Sequence, residues 1–282
     1  MKNNKELLTV IMVSYYSHKM INECIKTIPS NLNILIVNNA LEDDLKSKIN
    51  YKKNLKILQP PKNLGNGGGA NFALNLTKTK YAIYIDVDTR FKSSIFDQLL
   101  NIAQKENDWA IISPNISNYN YKNEFIIKHK NEYLSEMKFV EGCALLFNLN
   151  KIKKLGFYDE NFFLYYEEDD LFFRYIKANL KILLAKKIFI QHIGNSSVDT
   201  RYKEEIELNR NWHLMWSKFY FYKKNYSYFT AIFQTYKSLV SSFLKTIFYF
   251  LIKNKKYKIY LNRLSGLINS YIGNSSSRRP KI

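Results

Sequence analysis

The 282 residues leave room for one large α/β domain with an appendage, or for two modest domains. With 46% hydrophobic and 24% charged residues, the chain can bury a full core, which excludes a disordered segment. A formal charge of +19 directs attention to polyanions, and two cysteines, Cys24 and Cys143, with neither CxxC nor metal spacing, argue against a disulfide scaffold and for a reducing compartment.

The apolar run Leu7–Val13 near the N-terminus is too short for the apolar region of a signal peptide, so the expectation is a cytosolic catalytic domain. The same run, LLTVIMV, reads as a buried strand. Met20–Ile28 reads as a short helix stopped by Pro29, Leu32–Val37 as a second strand, Glu42–Ile49 as a helix and Leu55–Leu58 as a third strand. Pro60-Pro61 ends regular structure before a glycine-rich loop, and a helix is expected over Gly69–Leu76. Tyr81–Ile85 is a fourth strand running into Asp86-Val87-Asp88, Ser93–Lys105 a helix, and Trp109–Ile112 a fifth strand. The polar stretch Asn115–Asn131 reads as a loop or hairpin, and Phe139–Phe147 as a strand with Gly142 inside it. Asn161–Asn179 reads as an acidic turn entering a helix, and Lys181–Leu184 and Ile188–His192 as short strands. Continuous apolar strands alternating with helices predict a mostly parallel sheet covered on both faces, with ligands at the carboxyl ends of its strands.

After Thr200 the pattern turns helical, over about Lys203–Lys223, Tyr226–Ile252 and Lys256–Tyr271, with Ser275–Pro280 as a frayed end. Residues 1–200 are therefore expected to form the catalytic domain and 201–282 a helical region. From Leu208 to Ile282 there are 14 Lys/Arg and no Asp/Glu. Tyr226–Ile252 is long enough to span a bilayer, but Lys237 and Lys245 interrupt it. An interfacial amphipathic helix with a basic collar fits better, beside the plain alternative of a core helix.

Four stretches could carry chemistry. Asp86 and Asp88, at i and i+2 after a buried strand, would share one side, where two carboxylates repel unless a divalent cation sits near them. Mg²⁺ and Mn²⁺ use such pairs together with substrate phosphate oxygens. Glu167-Glu168-Asp169-Asp170 follows an aromatic run. Helix capping explains one or two of these acids, and a carboxylate held among aromatics suits a general base. His192, followed by Ile193-Gly194-Asn195-Ser196-Ser197, offers a third metal ligand or a diphosphate contact. The loop NLGNGGGAN matches the dinucleotide fingerprint as Gly65-x-Gly67-x-x-Ala70, but it follows the third strand rather than the first. Asp86 also brings Asp88 with it, which a ribose-binding acid would not need.

In order and spacing, TVIMVSYYS (9–17), IVNNA (36–40), NLGNGGGAN (63–71), DVDT (86–89), EGCALLF (141–147), GFYDENFFLYYEEDDLFFR (156–174) and HIGNSS (192–197) resemble the family 2 glycosyltransferases of GT-A fold, in particular a rhamnosyltransferase-like branch. The resemblance spans about residues 7–200. The stretch NRNWHLMWSKFYFYKK (209–224) also looks like a tail of that branch. The resemblance implies a GT-A, Rossmann-like α/β domain followed by basic amphipathic helices. It further implies an inverting transfer from a nucleotide-diphosphate sugar, dTDP-rhamnose among the candidates, to a hydroxyl of a glycan or polyprenyl-diphosphate-linked acceptor, with Mg²⁺ or Mn²⁺ as cofactor. Ser14 and Tyr15 would line the nucleotide pocket. Asn38, beside Asn39, stands where the family usually carries an Asp. Asn63, Gly65, Gly67, Gly68 and Asn71 would fold over the donor with Gly142 close by, Asp86 would face the donor sugar, and Asp88, Asp86 and His192 would hold the metal. The base aligns with Glu168, with Asp169 as the alternative and Asp170 adjoining. The implied setting is the cytoplasmic membrane face in surface-polysaccharide assembly, with the basic helices on the membrane and no nucleic acid as partner. A nucleotidyltransferase would need a basic residue near the α-phosphate, in a glycine-rich loop right after the first strand, and Ser14–Ser17 supplies none. A nucleic-acid-binding protein would carry stacking aromatics along its basic surface, whereas here the aromatics fall at apolar helical positions.

Overall fold

The computed structural model of the protein describes residues 4–50, 54–117, 119–194 and 203–280. After a single turn, α1 (Asn4–Leu7), the run LTVIMVS becomes β1 (Leu8–Ser14). Its alternation feeds two apolar clusters: Leu8, Val10 and Met12 enter one and Ile11 the other. The fourth strand, β4 (Tyr81–Ile85), does the same, with Tyr81, Ile83 and Ile85 on one side and Ala82 and Tyr84 on the other. A strand apolar on both faces has to lie between two layers, and this one does. The first cluster is closed by α2 (His18–Thr27) and α5 (Ile95–Lys105), the second by Ala70, Ala73 and Leu74 of α4 (Gly65–Leu76) and by Leu171, Phe172 and Tyr175 of α7 (Glu167–Lys177).

The remaining described strands are β2 (Asn33–Asn38), β3 (Leu55–Leu58), β5 (Thr89–Arg90), β6 (Trp109–Ile116), β7 (Ile126–His129), β8 (Leu134–Met137), β9 (Ala144–Asn148) and β10 (Lys181–His192). The sheet order is β3-β2-β1-β4-β9-β6-β10-β8-β7, with β5 paired to β10. From β3 to β4 the strands are parallel. Beyond β4, β9 enters antiparallel to both β4 and β6, so the sheet as a whole is mixed. Two short helices, α3 (Leu45–Lys48) and α6 (Leu149–Ile152), complete the connections.

Several boundaries differ from those read in the sequence. The helix expected from Gly69 starts at Gly65, so most of the glycine-rich loop is its first turns. Glycine costs about 1 kcal/mol relative to alanine in a helix interior. This start is therefore held by tertiary bonds, among them Asn66 N–H to the Phe163 carbonyl at 3.0 Å. The strand expected from Phe139 begins at Ala144, leaving Gly142 in the preceding turn. The two strands expected between Lys181 and His192 are one. β10 pairs with β6 up to Ala185↔Pro114 and resumes at Phe189↔Asn115, so Lys186–Ile188 bulge out. Pro114 has no N–H to give the ladder, and a bulge opposite it relieves the pairing.

The chain divides into two compact units. One comprises Met1–Leu64, Gly69–Tyr158 and Leu171–Val198, and holds the sheet. The other comprises Gly65–Gly68, Asp159–Asp170 and Asp199–Ile282. In the second, α8 (Lys203–Asn225), α9 (Tyr228–Leu251) and α10 (Tyr257–Tyr271) enclose a small core of Met215, Phe219, Ala231 and Leu267. Gly266 lets α10 meet α8 closely, since a Cβ there would lie 2.2 Å from the Trp212 carbonyl oxygen. The end expected to fray is packed: Ser276 is buried with its hydroxyl 2.9 Å from His213 Nδ1, and the Arg278 carbonyl accepts from His213 Nε2 at 2.9 Å. Among the described residues, no helix is long and apolar enough to cross a membrane.

Candidate active site

Because β1, β2 and β4 are parallel, their carboxyl ends lie along one edge of the sheet, which carries Ser14, Asn38 and Asp86. The Asp-x-Asp motif begins one residue past β4. Thr89 folds it over, donating to the Asp86 carbonyl from its N–H at 3.0 Å and from its hydroxyl at 2.7 Å. The two carboxylates thus converge through a turn rather than through strand alternation. His192 arrives from a distant segment: beyond the bulge, β10 pairs antiparallel with β5, setting His192 opposite Thr89. Its Nε2 lies 3.3 Å from Asp88 Oδ1 and 3.9 Å from Asp86 Oδ2. One ligand atom from each of the three residues falls within 4.8 Å of the others. Two carboxylates and an imidazole converging at a sheet edge fit a small divalent cation such as Mg²⁺ or Mn²⁺.

Burial chiefly raises Asp86 to about 6, with the nearby Asp88 charge adding to the rise, while the Tyr84 hydroxyl, donating to Asp86 Oδ1 at 2.7 Å, opposes it. Burial acts on Asp88 too, but the hydrogen bond and charge of His192 outweigh it and hold Asp88 below its ordinary value. That same hydrogen bond raises His192. Tyr84 was not singled out in the sequence. Its position two residues before Asp86, on the same side of the strand, is the signal that could have found it. The Cys143 carbonyl accepts from Asp86 N–H at 2.9 Å, which places the Gly142 turn beside the motif.

The other residues expected at the donor site in this unit are placed as follows. Ser14 is buried, its hydroxyl 3.2 Å from that of Ser17. Tyr15 is half-buried, and burial first, then Tyr16, push its phenol up to about 12. Asn38 is committed locally: its amide donates to the Glu42 carbonyl at 2.6 Å and to Gln59 Oε1 at 2.9 Å. Asn39 Oδ1 accepts from Leu64 N–H at 2.9 Å, which fixes the approach to α4. Asn71 forms a two-way pair with the Tyr158 backbone, at 2.9 and 3.0 Å. Asn63 is half-buried just ahead of the helix. Asn195, Ser196 and Ser197 lie outside the described residues.

The acidic segment belongs to the helical unit, together with Gly65, Gly67 and Gly68. Its four acids have different surroundings. Glu167 is buried, with Asn66 Nδ2 donating to it at 3.2 Å. Asp170 is fully buried and meets Lys224 Nζ at 2.7 Å and Asn225 Nδ2 at 3.0 Å. Glu168 and Asp169 are half-exposed. The segment is clamped by α8: Lys224 and Tyr220 both reach Asp159 Oδ2, at 2.8 and 3.1 Å, and the Ser217 hydroxyl donates to the Leu164 carbonyl at 2.8 Å. Tyr165 and Tyr166, immediately before the acids, both have left-handed backbone, with φ of 65° and 64°. Two consecutive non-glycine residues in that region carry strain that their surroundings must hold, a feature that clusters at functional sites. None of these long-range partners has a local signature in the sequence.

An α/β sheet covered by helices on both faces, with an Asp-x-Asp turn and a histidine at its carboxyl edge, defines the class: a glycosyltransferase of GT-A fold. Residues 9–171 match Glycosyl transferase family 2, more than half of the chain, and the chain belongs to that family. It is a glycosyltransferase that takes its sugar from a nucleotide-sugar donor. Among curated proteins it is similar to the low-salt glycan biosynthesis hexosyltransferase Agl10 of Haloferax volcanii, 22% identical over 223 residues that make up 71% of each chain. Among solved structures it resembles the mannosyltransferase PcManGT of Pyrobaculum calidifontis in complex with GDP-Man and Mn²⁺, with TM-score 0.54 and 13% identity over 95% of this chain and 86% of that one. It also resembles S. aureus TarS 1–349 in complex with UDP-GlcNAc, with TM-score 0.53 and 13% identity over 95% and 92%.

Proposed function

We propose that the protein is an inverting, metal-dependent glycosyltransferase that moves a hexose from a nucleotide-diphosphate sugar to a hydroxyl of a growing, lipid-linked glycan. The observation that carries the reading is the convergence of Asp86, Asp88 and His192 within 4.8 Å at the carboxyl edge of the sheet. When bound there, Mg²⁺ or Mn²⁺ would neutralise the charge that develops on the departing diphosphate. Asp88 and His192, 3.3 Å apart, would hold the ion, and Asp86, which accepts from the Tyr84 hydroxyl, would face the donor sugar. Ser14 and Tyr15 line the nucleotide, and the residues from Asn63 to Asn71 border the donor.

The carboxylate of Glu168 takes the proton of the acceptor hydroxyl, and Asp169 is its alternative. The freed oxygen attacks the anomeric carbon opposite the diphosphate, so one bond forms as the other breaks and the configuration inverts. General base catalysis of this kind contributes about 10²–10⁴-fold. Asp170 sits in the same turn as a positioning group, held by Lys224 and Asn225.

The glycan acceptor is supported by the likeness to a glycan-biosynthesis hexosyltransferase, and the ion by the Mn²⁺ of the similar mannosyltransferase. dTDP-rhamnose is the first donor to test. The enzyme would work peripherally on the cytoplasmic membrane face, in assembly of a surface polysaccharide, with residues 1–200 as catalytic domain and the basic helices after them at the membrane. The test is a panel of nucleotide-sugars scored by thermal shift with and without Mn²⁺, since a ligand that binds only the folded state raises its stability by mass action. A Mn²⁺-dependent shift from one nucleotide-sugar is expected. No shift from any donor, with binding of nucleic acid instead, would overturn the reading.

A further inference from the structure

Within the helical unit, the buried residues of α9 are Ala231, Thr235 and Ser242, and Ile232 and Leu239 pack half-buried against the same core. The other side of α9 carries Phe229, Phe233, Val240, Leu244, Ile247 and Leu251, each between 44% and 84% exposed. These six fall on one stripe of the helix, at spacings of three, four and seven. A helix of 24 residues is about 36 Å long, and an exposed apolar strip running that length is rare on a soluble monomer and marks an interaction site. Water does not select a row of phenylalanines and aliphatics on an outer face, so the medium that receives this face is apolar.

Charge identifies that medium. From Tyr226 to Ile282 there are 10 Lys/Arg and no Asp/Glu, and two of those cations, Lys258 and Arg278, meet Glu204 and Glu205. A second copy of the chain would bring like charge against like charge across the same face. A nucleic acid would answer the charge but not the phenylalanines. Anionic lipid answers both. Lys253, Lys255 and Lys256 stand exposed directly beyond the end of α9. Along the strip, Lys237 and Lys245 border a shallow depression of about 430 Å³ that Val240 and Leu244 also line. Aliphatic residues beside lysines suit the boundary between acyl chains and phosphate headgroups.

We propose that α9 lies in the plane of an anionic bilayer, with the Phe229-to-Leu251 strip among the acyl chains and the Lys253–Lys256 collar on the headgroup phosphates. This rests on the proposed function only for its purpose, placing the enzyme where a lipid-linked acceptor resides. The contact itself needs neither donor nor acceptor, so it is tested without them. The full chain is sedimented with vesicles of equimolar phosphatidylglycerol and phosphatidylcholine, and with phosphatidylcholine alone. Binding to the anionic vesicles is expected to be at least about tenfold tighter. Phe233→Ser/Leu244→Ser/Leu251→Ser should lose binding by a similar factor while its far-UV melting curve stays that of the parent, because all three side chains are exposed. Since Cys24 and Cys143 are buried, Phe233→Cys and Gln234→Cys can each be labelled selectively with a polarity-sensitive dye. On vesicles the label at 233 should shift to the blue and the label at 234 should not. Three results would overturn the proposal: no sedimentation with either vesicle, equal shifts at both positions, or a dimer in light scattering that the triple substitution dissolves. Loss of vesicle binding with donor binding intact would condemn this inference alone; the reverse would condemn the catalytic reading alone.

Discussion

Lys224→Met tests whether α8 is part of the catalytic apparatus. The substitution keeps the aliphatic stem and removes the ammonium that sits 2.7 Å from Asp170 Oδ1 and 2.8 Å from Asp159 Oδ2. The Asp170 side chain is 0% exposed and that of Lys224 27%, so Asp170 would be left as a buried charge with Asn225 beside it. Breaking a buried pair from one side costs about 3–5 kcal/mol. With Asn225 still in place and the lysine head partly hydrated, about 2–4 kcal/mol is expected here. Lys26→Met is the control: its pair with Glu23 is more than half exposed on both sides, where solvent screens the charges and little stability is at stake. Thermal melts followed by circular dichroism should place Lys224→Met on the order of 10 °C below the parent and Lys26→Met close to it. Adding Asp170→Asn should recover much of the loss, because a neutral amide does not need the cation. Turnover should fall further than stability explains, with donor affinity kept, because Glu168 and Asp169 ride on the segment that Lys224 holds. If Lys224→Met melts with the parent, the clamp is not what fixes the acidic segment.

The other substitutions address the metal, the base and acid stability. Asp88→Asn should abolish Mn²⁺-stimulated turnover, and activity that persists in chelator would refute the metal assignment. Glu168→Gln should leave donor binding intact and reduce turnover about 10²–10⁴-fold; if Asp169→Asn is the dead variant instead, the proton goes to Asp169. His213 is fully buried, and burial, joined by the charges of Arg279 and Arg278, pushes it down to about 3 against the hydrogen bond to the Arg278 carbonyl. A histidine depressed in the folded state is protonated first in the unfolded chain. Its contribution is therefore complete above about pH 6.5 and falls by about 1.4 kcal/mol per pH unit below that, down toward pH 3. Midpoints measured from pH 7 to pH 5 should drop more steeply for the parent than for His213→Gln, and parallel slopes would refute the assignment.

What was legible in the sequence is what repeats locally. LTVIMVS and YAIYI announced strands covered on both faces because alternation placed apolar groups on each side. Asp86, Asp88 and His192 stood out because carboxylates and imidazole at strand ends are costly unless used. What was not legible depends on residues far apart in the chain. The commitment of Asn38 to Gln59, the Lys224–Asp170 pair and the closure of Ser276 and Arg278 around His213 involve side chains whose partners lie 21 to 65 residues away. The bulge in β10 was half visible: Pro114 in an otherwise apolar strand marks an interrupted ladder, but its consequence, His192 brought opposite Thr89, needs the pairing with β6 and β5.

The glycine run gives the sharpest case, because two roles for it predict different outcomes. If Gly65 is glycine so that a nucleotide can approach, Gly65→Ala should weaken donor binding and leave the melt alone. The geometry points to the fold instead. Gly65 has φ of +76°, where an alanine costs about 1–2 kcal/mol. An added Cβ would lie 2.2 Å from the Phe163 carbonyl oxygen, which cannot withdraw freely because Asn66 N–H bonds to it at 3.0 Å. Strain and overlap together should destabilise the chain by several kcal/mol, near the top of the range for single substitutions. Gly69→Ala is the contrast, since the nearest atoms to its Cβ would be the Val13 methyls at 3.0 and 3.1 Å and the Asn39 amide at 3.5 Å. A small yielding of Val13 would let it gain up to about 1 kcal/mol in helix propensity. Melting midpoints measured with and without a nucleotide-sugar separate the roles: a large drop for Gly65→Ala in both conditions, with little change for Gly69→Ala, assigns the first glycine to the contact with Phe163. A Gly65→Ala chain that melts normally but no longer responds to the donor would return it to the ligand.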